Sequence, residues 1–407
     1  MAQHRPHVRP ALTSAAMGGT NSMVRRMWLA FFVAVLVVAA GCASSDGATA
    51  PTTANTAPPA DAPPAETTPS TIAGPPNVYA ATMAGQLRPD LAAVPSRAYV
   101  PNSLANTLDV IDTSTFEVIG RYPTGAGPQH VVPSWDMKTL YVNNTAGDSL
   151  IPIDPMTGTP GPSFPVRDPY NLYFTPDGKM AIVVAERYRQ LDFRNPTTWE
   201  LIKSVTIDHS GPNHLDFSAD GSYLIISCEF SGWLVKVDLQ RMEVTGELEL
   251  GGAPIDVRLA PDGKKFYVAN QQRPGQRDGV HVVDGETMAV TKFIETGKGT
   301  HGVYPSRDTK SIYATNRLGG TVSVIDVATD TVTATWTIPG GGSPDMGGVS
   351  ADGSQFWVTG RNHGVVYVFD TTSGELLKKI PVGKGAHGLA LFPQPGRFSM
   401  GHTGNYR

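Results

Sequence analysis

An all-β chain folded as a seven-bladed β-propeller is what this sequence predicts, and three observations predict it. Apolar runs are short and rich in Val, Ile, Thr and Tyr, too short for helices but the right length for strands. A loop Asp or Asn closes the third strand of each unit at Asp112, Asp154, Asn195, Asp238, Asp284, Asp326 and Asp370, at spacings of 42, 41, 43, 46, 42 and 44 residues. The second strand recurs in step, as AYVPN from Ala98, LYVNN from Leu140, IVVAE from Ile182, IISCE from Ile225, YVAN from Tyr267, YATN from Tyr313 and WVTG from Trp357. An all-β period in the forties is the mark of propeller blades.

The unit is clearest from Thr300 to Ile338, where the runs Gly302 to Tyr304, Ser311 to Thr315, Thr321 to Ile325 and Val332 to Ile338 form a four-stranded antiparallel meander. The third and fourth runs are joined by Asp326 to Thr329, whose Asp and Thr can bond their own backbone and close a hairpin. Strands one and two are linked through Pro176-Asp177-Gly178, Ala219-Asp220-Gly221, Pro261-Asp262-Gly263 and Ala351-Asp352-Gly353, where glycine supplies a positive φ. A lone meander leaves both faces wet, so the copies must stack.

These motif columns resemble the YVTN β-propeller repeat family, whose name matches YATN at Tyr313 and YVAN at Tyr267, together with the PDG links and VSVID from Val322. The resemblance runs from about Val78 to the C-terminus. It implies the fold and no single activity, because the architecture hosts lactonases, nitrite- and nitrous-oxide-handling domains and proteins with no known chemistry.

Upstream, residues 1–41 read as an export signal. Arg25 and Arg26 precede the apolar stretch Met27 to Ala40, and Ala39-Ala40-Gly41 lead into Cys42, with Met23 a candidate start. The ending resembles a bacterial lipobox, which implies lipidation of Cys42 and a lipoprotein anchored at the outer face of the cell membrane; Ala39 stands where that pattern usually has Leu. The other reading is an ordinary secretory signal that leaves Cys42 a free thiol. Residues 42–76 are dominated by Ala, Thr, Ser and Pro and read as a disordered tether. Residues 77–407 hold the propeller.

Four of the 32 basic residues, Arg5, Arg9, Arg25 and Arg26, precede Cys42 and no acidic residue does, so the exported part carries 28 basic against 36 acidic side chains, a formal charge of −8. That balance argues against nucleic acid as a partner. The repeats run on without a linker, as one domain would, and a monomer is expected. Only one cysteine besides Cys42 exists, Cys228 inside a strand, so no disulfide framework is available; the absence of CxxCH excludes covalent haem.

Closure is expected at the ends. The first unit begins with its second strand near Ala98, and Ala386 to Pro393 repeats the first-strand pattern, so the C-terminal strand should complete that blade. The tail from Gly396 to Arg407 is left over. It could overlay the YVPN strand, and Asn77 to Thr82 could add another, making a partial eighth blade.

One constellation points to function. In a propeller the first strands line the central channel, and the two positions that open them hold Gln129-His130, Tyr170-Asn171, Asn213-His214, Ile255-Asp256, His301-Gly302, Asp345-Met346 and His387-Gly388. Four of the eight histidines after the tether fall in these fourteen positions, where even scatter would place fewer than one, and they lie 84, 87 and 86 residues apart, on every second blade. The ends of the second strands should return to the same mouth, placing Asn144, Glu186, Glu229, Asn270, Asn316 and Arg361 around the ring.

Imidazoles and carboxylates converging there can hold a divalent transition metal, with His130, His214, His301 and His387 as ligands, or a small polar ligand that also meets Asn171, Asp256, Asp345, Glu186, Glu229 and Arg361. A lactonase-like hydrolase would use the same histidines with Glu186, Glu229, Asp256 or Asp345 as acid–base partners. A third reading is a non-catalytic scaffold for another envelope protein, its polar ring shared by descent of the blades. Gly340-Gly341-Gly342 reads as a blade connection, Arg187, Arg189 and Arg194 as solvent-facing, Cys228 as a buried inert thiol, and His281 and His363 as ordinary blade residues.

Overall fold

The structure, a computed structural model, describes residues 77–407 apart from Pro274, Thr403 and Gly404. The export segment, Cys42 and the tether therefore lie outside the described residues. Seven antiparallel sheets follow one another around a central axis. Blade 1 contains Arg97–Asn102, Thr107–Asp112 and Val118–Pro123, and its innermost strand is Ala390–Phe392 from the far end of the chain, paired Arg97 to Phe392 and Tyr99 to Ala390. Closure by the two chain ends is thus the expected one.

Blades 2 to 7 open with the inner strands Pro128–Pro133, Pro169–Phe174, Pro212–Phe217, Ala253–Leu259, Thr300–Pro305 and Pro344–Val349. Position within the blade decides burial. Pro169–Phe174 is buried at every residue, whereas the outer strand Val118–Pro123 has no fully buried residue. The apolar contacts lie between blades: Tyr173, Ile182, Val184 and Phe193 of blade 3 form one cluster with Leu215, Phe217, Leu224 and Ile226 of blade 4. Each sheet buries both faces, which is why its middle strands read as nearly continuous apolar runs.

The turn chemistry follows the sequence. Asp326 Oδ1 accepts the Thr329 amide at 2.8 Å and its hydroxyl at 2.8 Å, and Asp284 and Asp370 bind Thr287 and Ser373 in the same way. The glycines of the Asp-Gly links take φ values of +70° at Gly178 and +73° at Gly221.

The leftover segments do not make an eighth blade. Ala80–Thr82 is a single 3-10 turn, not a strand. The tail does not overlay the YVPN strand either: Ser399–Gly401 pairs with Tyr173 on the inner edge of blade 3, and Asn405–Tyr406 returns beside it, so that sheet has six strands. An inner edge exposed to the channel is an unpaired row of backbone groups, and the tail satisfies part of it. At the end of the channel where the inner strands finish, Arg407 donates to the carbonyls of Ser218 and Phe217 at 2.8 and 2.7 Å and to Asp216 at 3.2 Å, all buried. Tyr79 closes the same end, its hydroxyl on the Leu259 carbonyl at 2.7 Å. The channel is filled from that side and the histidines stand at the other.

Candidate functional site

The side chains of the ring are aimed by bulges. Strand register slips between Pro128 and His130, between Pro212 and Leu215, between Pro254 and Val257, between Thr300 and Val303, and between Pro344 and Gly347, each slip falling at the residues that open an inner strand. A bulge leaves residues unpaired and re-aims side chains: His214, Asp256, His301 and Asp345 are among the unpaired residues, whereas in blade 2 the unpaired residue is Gln129 and His130 follows it, paired with Asn143. His387 lies in a similar gap, between the isolated Asn102–Ala386 bridge and the strand that resumes at Ala390. The glycine after it has a steric reason: a Cβ at Gly388 would stand 2.0 Å from Cδ2 of His130, so only glycine lets the two segments meet.

His130 and His214 face each other. Nδ1 of His130 donates to the Tyr170 carbonyl at 2.7 Å and Nδ1 of His214 to the Ile255 carbonyl at 3.3 Å, so each ring turns Nε2 inward, 3.3 Å from the other. The ring centroids are 5.3 Å apart at 86°. The third member is His402 of the tail, with its ring 4.4 Å from His130 and 4.5 Å from His214, and neither of its nitrogens has a hydrogen-bond partner among the described residues. Ligand atoms of these three histidines all lie within 4.8 Å of one another, and all three are fully buried. Burial disfavours the imidazolium form, holding His130 down to about 3 and His214 and His402 well below their ordinary value.

Asp345 organises the rest. Nδ1 of His387 lies 2.5 Å from Oδ2, Nε2 of His301 3.2 Å from Oδ1, and Arg317 Nη1 3.1 Å from Oδ1, while the Arg361 guanidinium stands off at 3.6 Å. His387 therefore donates Nδ1–H to the carboxylate and leaves Nε2 without a partner among the described residues, its ring 4.9 Å from His130. Desolvation keeps His387 and His301 neutral as well. Above the ring, Tyr170 donates to Asn213 at 3.1 Å and Asn213 to Glu229 at 2.6 Å. Burial and the neighbouring Glu229 push the Glu186 carboxyl up to about 8, and burial raises Glu229 too.

The four blade histidines, Asp345, Glu186, Glu229 and Arg361 thus gather at one mouth. Other expected site residues are engaged elsewhere. Asp256 accepts the amides of Val257 at 3.0 Å and Val303 at 2.9 Å, tying blade 5 to blade 6; burial raises its carboxyl to about 6 against the pull of Arg258. Asp216 does the same for Leu259 of the next blade at 2.8 Å, and the hydroxyls of Tyr173 and Tyr304 accept the amides of Leu215 and Gly347. Asn171 bonds the Leu172 amide and the Tyr173 hydroxyl, Asn144 and Asn316 turn to Ser149 and Thr321 across their own hairpins, and Asn270 donates to the Gly251 carbonyl in the connection that precedes its blade. Arg187 and Arg194 are paired with Asp168 and Asp192. Cys228 is buried in the apolar cluster, its thiol pushed up to about 12 by desolvation. His402 was not foreseen: it stands outside the blade period, and no column places it.

The comparison that decides the family is a match to the YNCE-like β-propeller model over residues 71–395. The chain belongs to the YNCE-like β-propeller family. That agrees with the repeat resemblance read from the YVAN and YATN strands. No curated protein is a significant match. Among solved structures, hydrazine synthase of Kuenenia stuttgartiensis is similar with a TM-score of 0.56 and 20% identity, over 63% of this chain and 87% of that one. A functionally unknown protein of Desulfotomaculum acetoxidans has a TM-score of 0.62 and 15% identity, over 72% and 98%. The dihydro-heme d1 dehydrogenase NirN, solved in complex with DHE, has a TM-score of 0.56 and 16% identity, over 76% and 78%. At these identities the likeness is one of fold.

Proposed function

We propose that this propeller holds one divalent transition-metal ion at the mouth of its channel, with His130, His214 and His402 as nitrogen ligands, and that the sequence before residue 77 exports it and anchors it to the membrane through Cys42. The observation that carries the reading is the His130–His214 pair. With both Nδ1–H groups spent on main-chain carbonyls, two Nε2 lone pairs confront each other at 3.3 Å, an arrangement that repels unless an electrophile lies between them. Two imidazole nitrogens bound to a tetrahedral ion at about 2.0–2.1 Å stand roughly 3.3–3.4 Å apart. A proton is the other candidate: burial works against an imidazolium, and the neutral Nε2–H tautomer of His214 would turn a bare Nδ1 lone pair toward the Ile255 carbonyl oxygen. Carbonyl bonds from the remote ring nitrogens are also the outer partners that orient metal-binding histidines.

In this reading His387 and His301, expected as ligands, stand beside the centre and are held by Asp345. Elemental analysis of protein purified without chelator tests it: about one ion per chain is expected, lost in a His130→Ala, His214→Ala variant. Metal at a hundredfold excess over its dissociation constant adds about 2.7 kcal/mol to stability, roughly 4 °C for a domain of this size. Absence of both stoichiometric metal and a thermal shift across a metal panel overturns the proposal. For the anchor, mass analysis of membrane-fraction protein should find an acylated N-terminal Cys42; an unmodified N-terminus elsewhere contradicts it.

One observation favours a second reading, the hydrolase. Neutral His387, oriented by Asp345 at 2.5 Å and with a free Nε2, has the geometry of a general base. A lactone and ester panel checks it: turnover that survives His387→Ala eliminates the assignment.

A further inference from the structure

On the face where the histidines stand, a groove of about 570 Å³ runs between blade 7 and blade 1, a size that suits a small organic ligand. Its walls come from three turns: Leu104 of blade 1, Arg361 to Gly364 of blade 7, and Val382 to Gly385, which leads into the closing strand. Two cations face it and no carboxylate lines it. Lys384 is exposed and has no ion pair among the described residues. Arg361 is half-buried and makes no hydrogen bond among the described residues; its one ion-pair partner among them, Asp345, is 3.6 Å away and already engaged by His387, His301 and Arg317, and the Glu229 carboxylate is a more distant charge. A half-buried guanidinium with idle donors has shed water without regaining partners, and a ligand carboxylate is what its planar fork fits best. Leu104, 78% exposed, and Val382 supply apolar surface along the same groove.

We infer that this groove binds a small amphipathic organic anion, its carboxylate on Arg361 and Lys384 and its hydrocarbon body on Leu104 and Val382. Arg361 stands between the groove and Asp345, 3.6 Å away, so the bound carboxylate meets the guanidinium from the groove side. The site stands on the groove alone and does not require the metal.

Calorimetric titration of the full exported domain with hexanoate and with uncharged hexanamide tests the inference, with metal content measured on the same samples. Charge-assisted hydrogen bonds of this kind are worth about 1.5–3 kcal/mol, so hexanamide and the Arg361→Gln variant should each bind at least about tenfold more weakly than hexanoate binds the native protein. Lys384→Gln, an exposed change that leaves the fold intact, should cost a few-fold, and Lys378→Gln on the outer strand should cost nothing. Hexanamide binding as tightly as hexanoate, hexanoate binding untouched by both groove variants, or no uptake at millimolar hexanoate overturns the inference. Hexanoate bound through Arg361 by protein that neither carries metal nor shifts its melting temperature across the metal panel would leave the groove standing and the metal reading fallen; metal bound without hexanoate would do the reverse.

Discussion

Replacing Asp256 by Ala separates the role expected of it in a ligand site from the role its contacts support. Both carboxylate oxygens are occupied by main-chain amides, Val257 at 3.0 Å and Val303 of the next blade at 2.9 Å, and the side chain is 1% exposed. Arg258 is buried as well; burial pulls its guanidinium down, and the charges of Asp256 and Asp216 more than offset this. Truncation strands two buried amides, at about 1–3 kcal/mol each, and removes one of the two carboxylate charges near a buried guanidinium, where breaking a full buried pair costs about 3–5 kcal/mol. The two stranded amides, together about 2–6 kcal/mol, set the size of the effect, because Asp216 remains near Arg258. At roughly 2.1 cal/mol/K per residue of unfolding entropy, a domain of about 330 residues shifts by about 1.4 °C per kcal/mol, so a fall of about 3–8 °C is expected. Asp256→Asn, which keeps an acceptor oxygen, should lose less. Differential scanning calorimetry reads the shift and metal titration reads the site. An Asp256→Ala protein that melts like the native one but loses ligand affinity would refute the inter-blade role.

Three further outcomes follow from the same geometry. A carboxyl raised to about 8 keeps in the folded state a proton that the unfolded chain releases above its ordinary value of 4.5, so Glu186 erodes stability between those values; Glu186→Gln should flatten the decline of melting temperature across that range, and an unchanged pH profile contradicts the assignment. Cys228, held up to about 12 and buried, should resist iodoacetamide at neutral pH in the folded protein and react fully in denaturant; rapid native labelling would show it accessible. His402→Ala should lower metal affinity at least as much as loss of an outer-shell partner does, about 10–100-fold, while a melting temperature without metal stays near that of the native chain; equal affinity removes the tail from the site.

The blades were legible because each strand, turn and loop Asp repeats in register, and the mouth was legible because stacking brings one column of each repeat to one place. His130, His214, His301, His387 and Asp345 were found this way. The same logic could not distinguish Asp256 from Asp345. Both occupy a ring column, but one meets the amides of Val257 and Val303 and the other meets two imidazoles and two guanidiniums, a difference made by blades distant in sequence. The tail was illegible for a related reason: Ser399–Gly401 is too short to declare itself a strand, and its place depends on the open inner edge beside Tyr173. His402 arrives with it, beyond any period.

The most direct measurement is an anomalous-difference map, recorded at the absorption edge of the bound metal, from crystals of the full exported domain. One strong peak is expected about 2.0–2.1 Å from Nε2 of both His130 and His214, with a nitrogen of His402 closing in as third ligand. Metal located elsewhere, or no peak between those two rings in metal-soaked crystals, would contradict a histidine-held ion at the channel mouth.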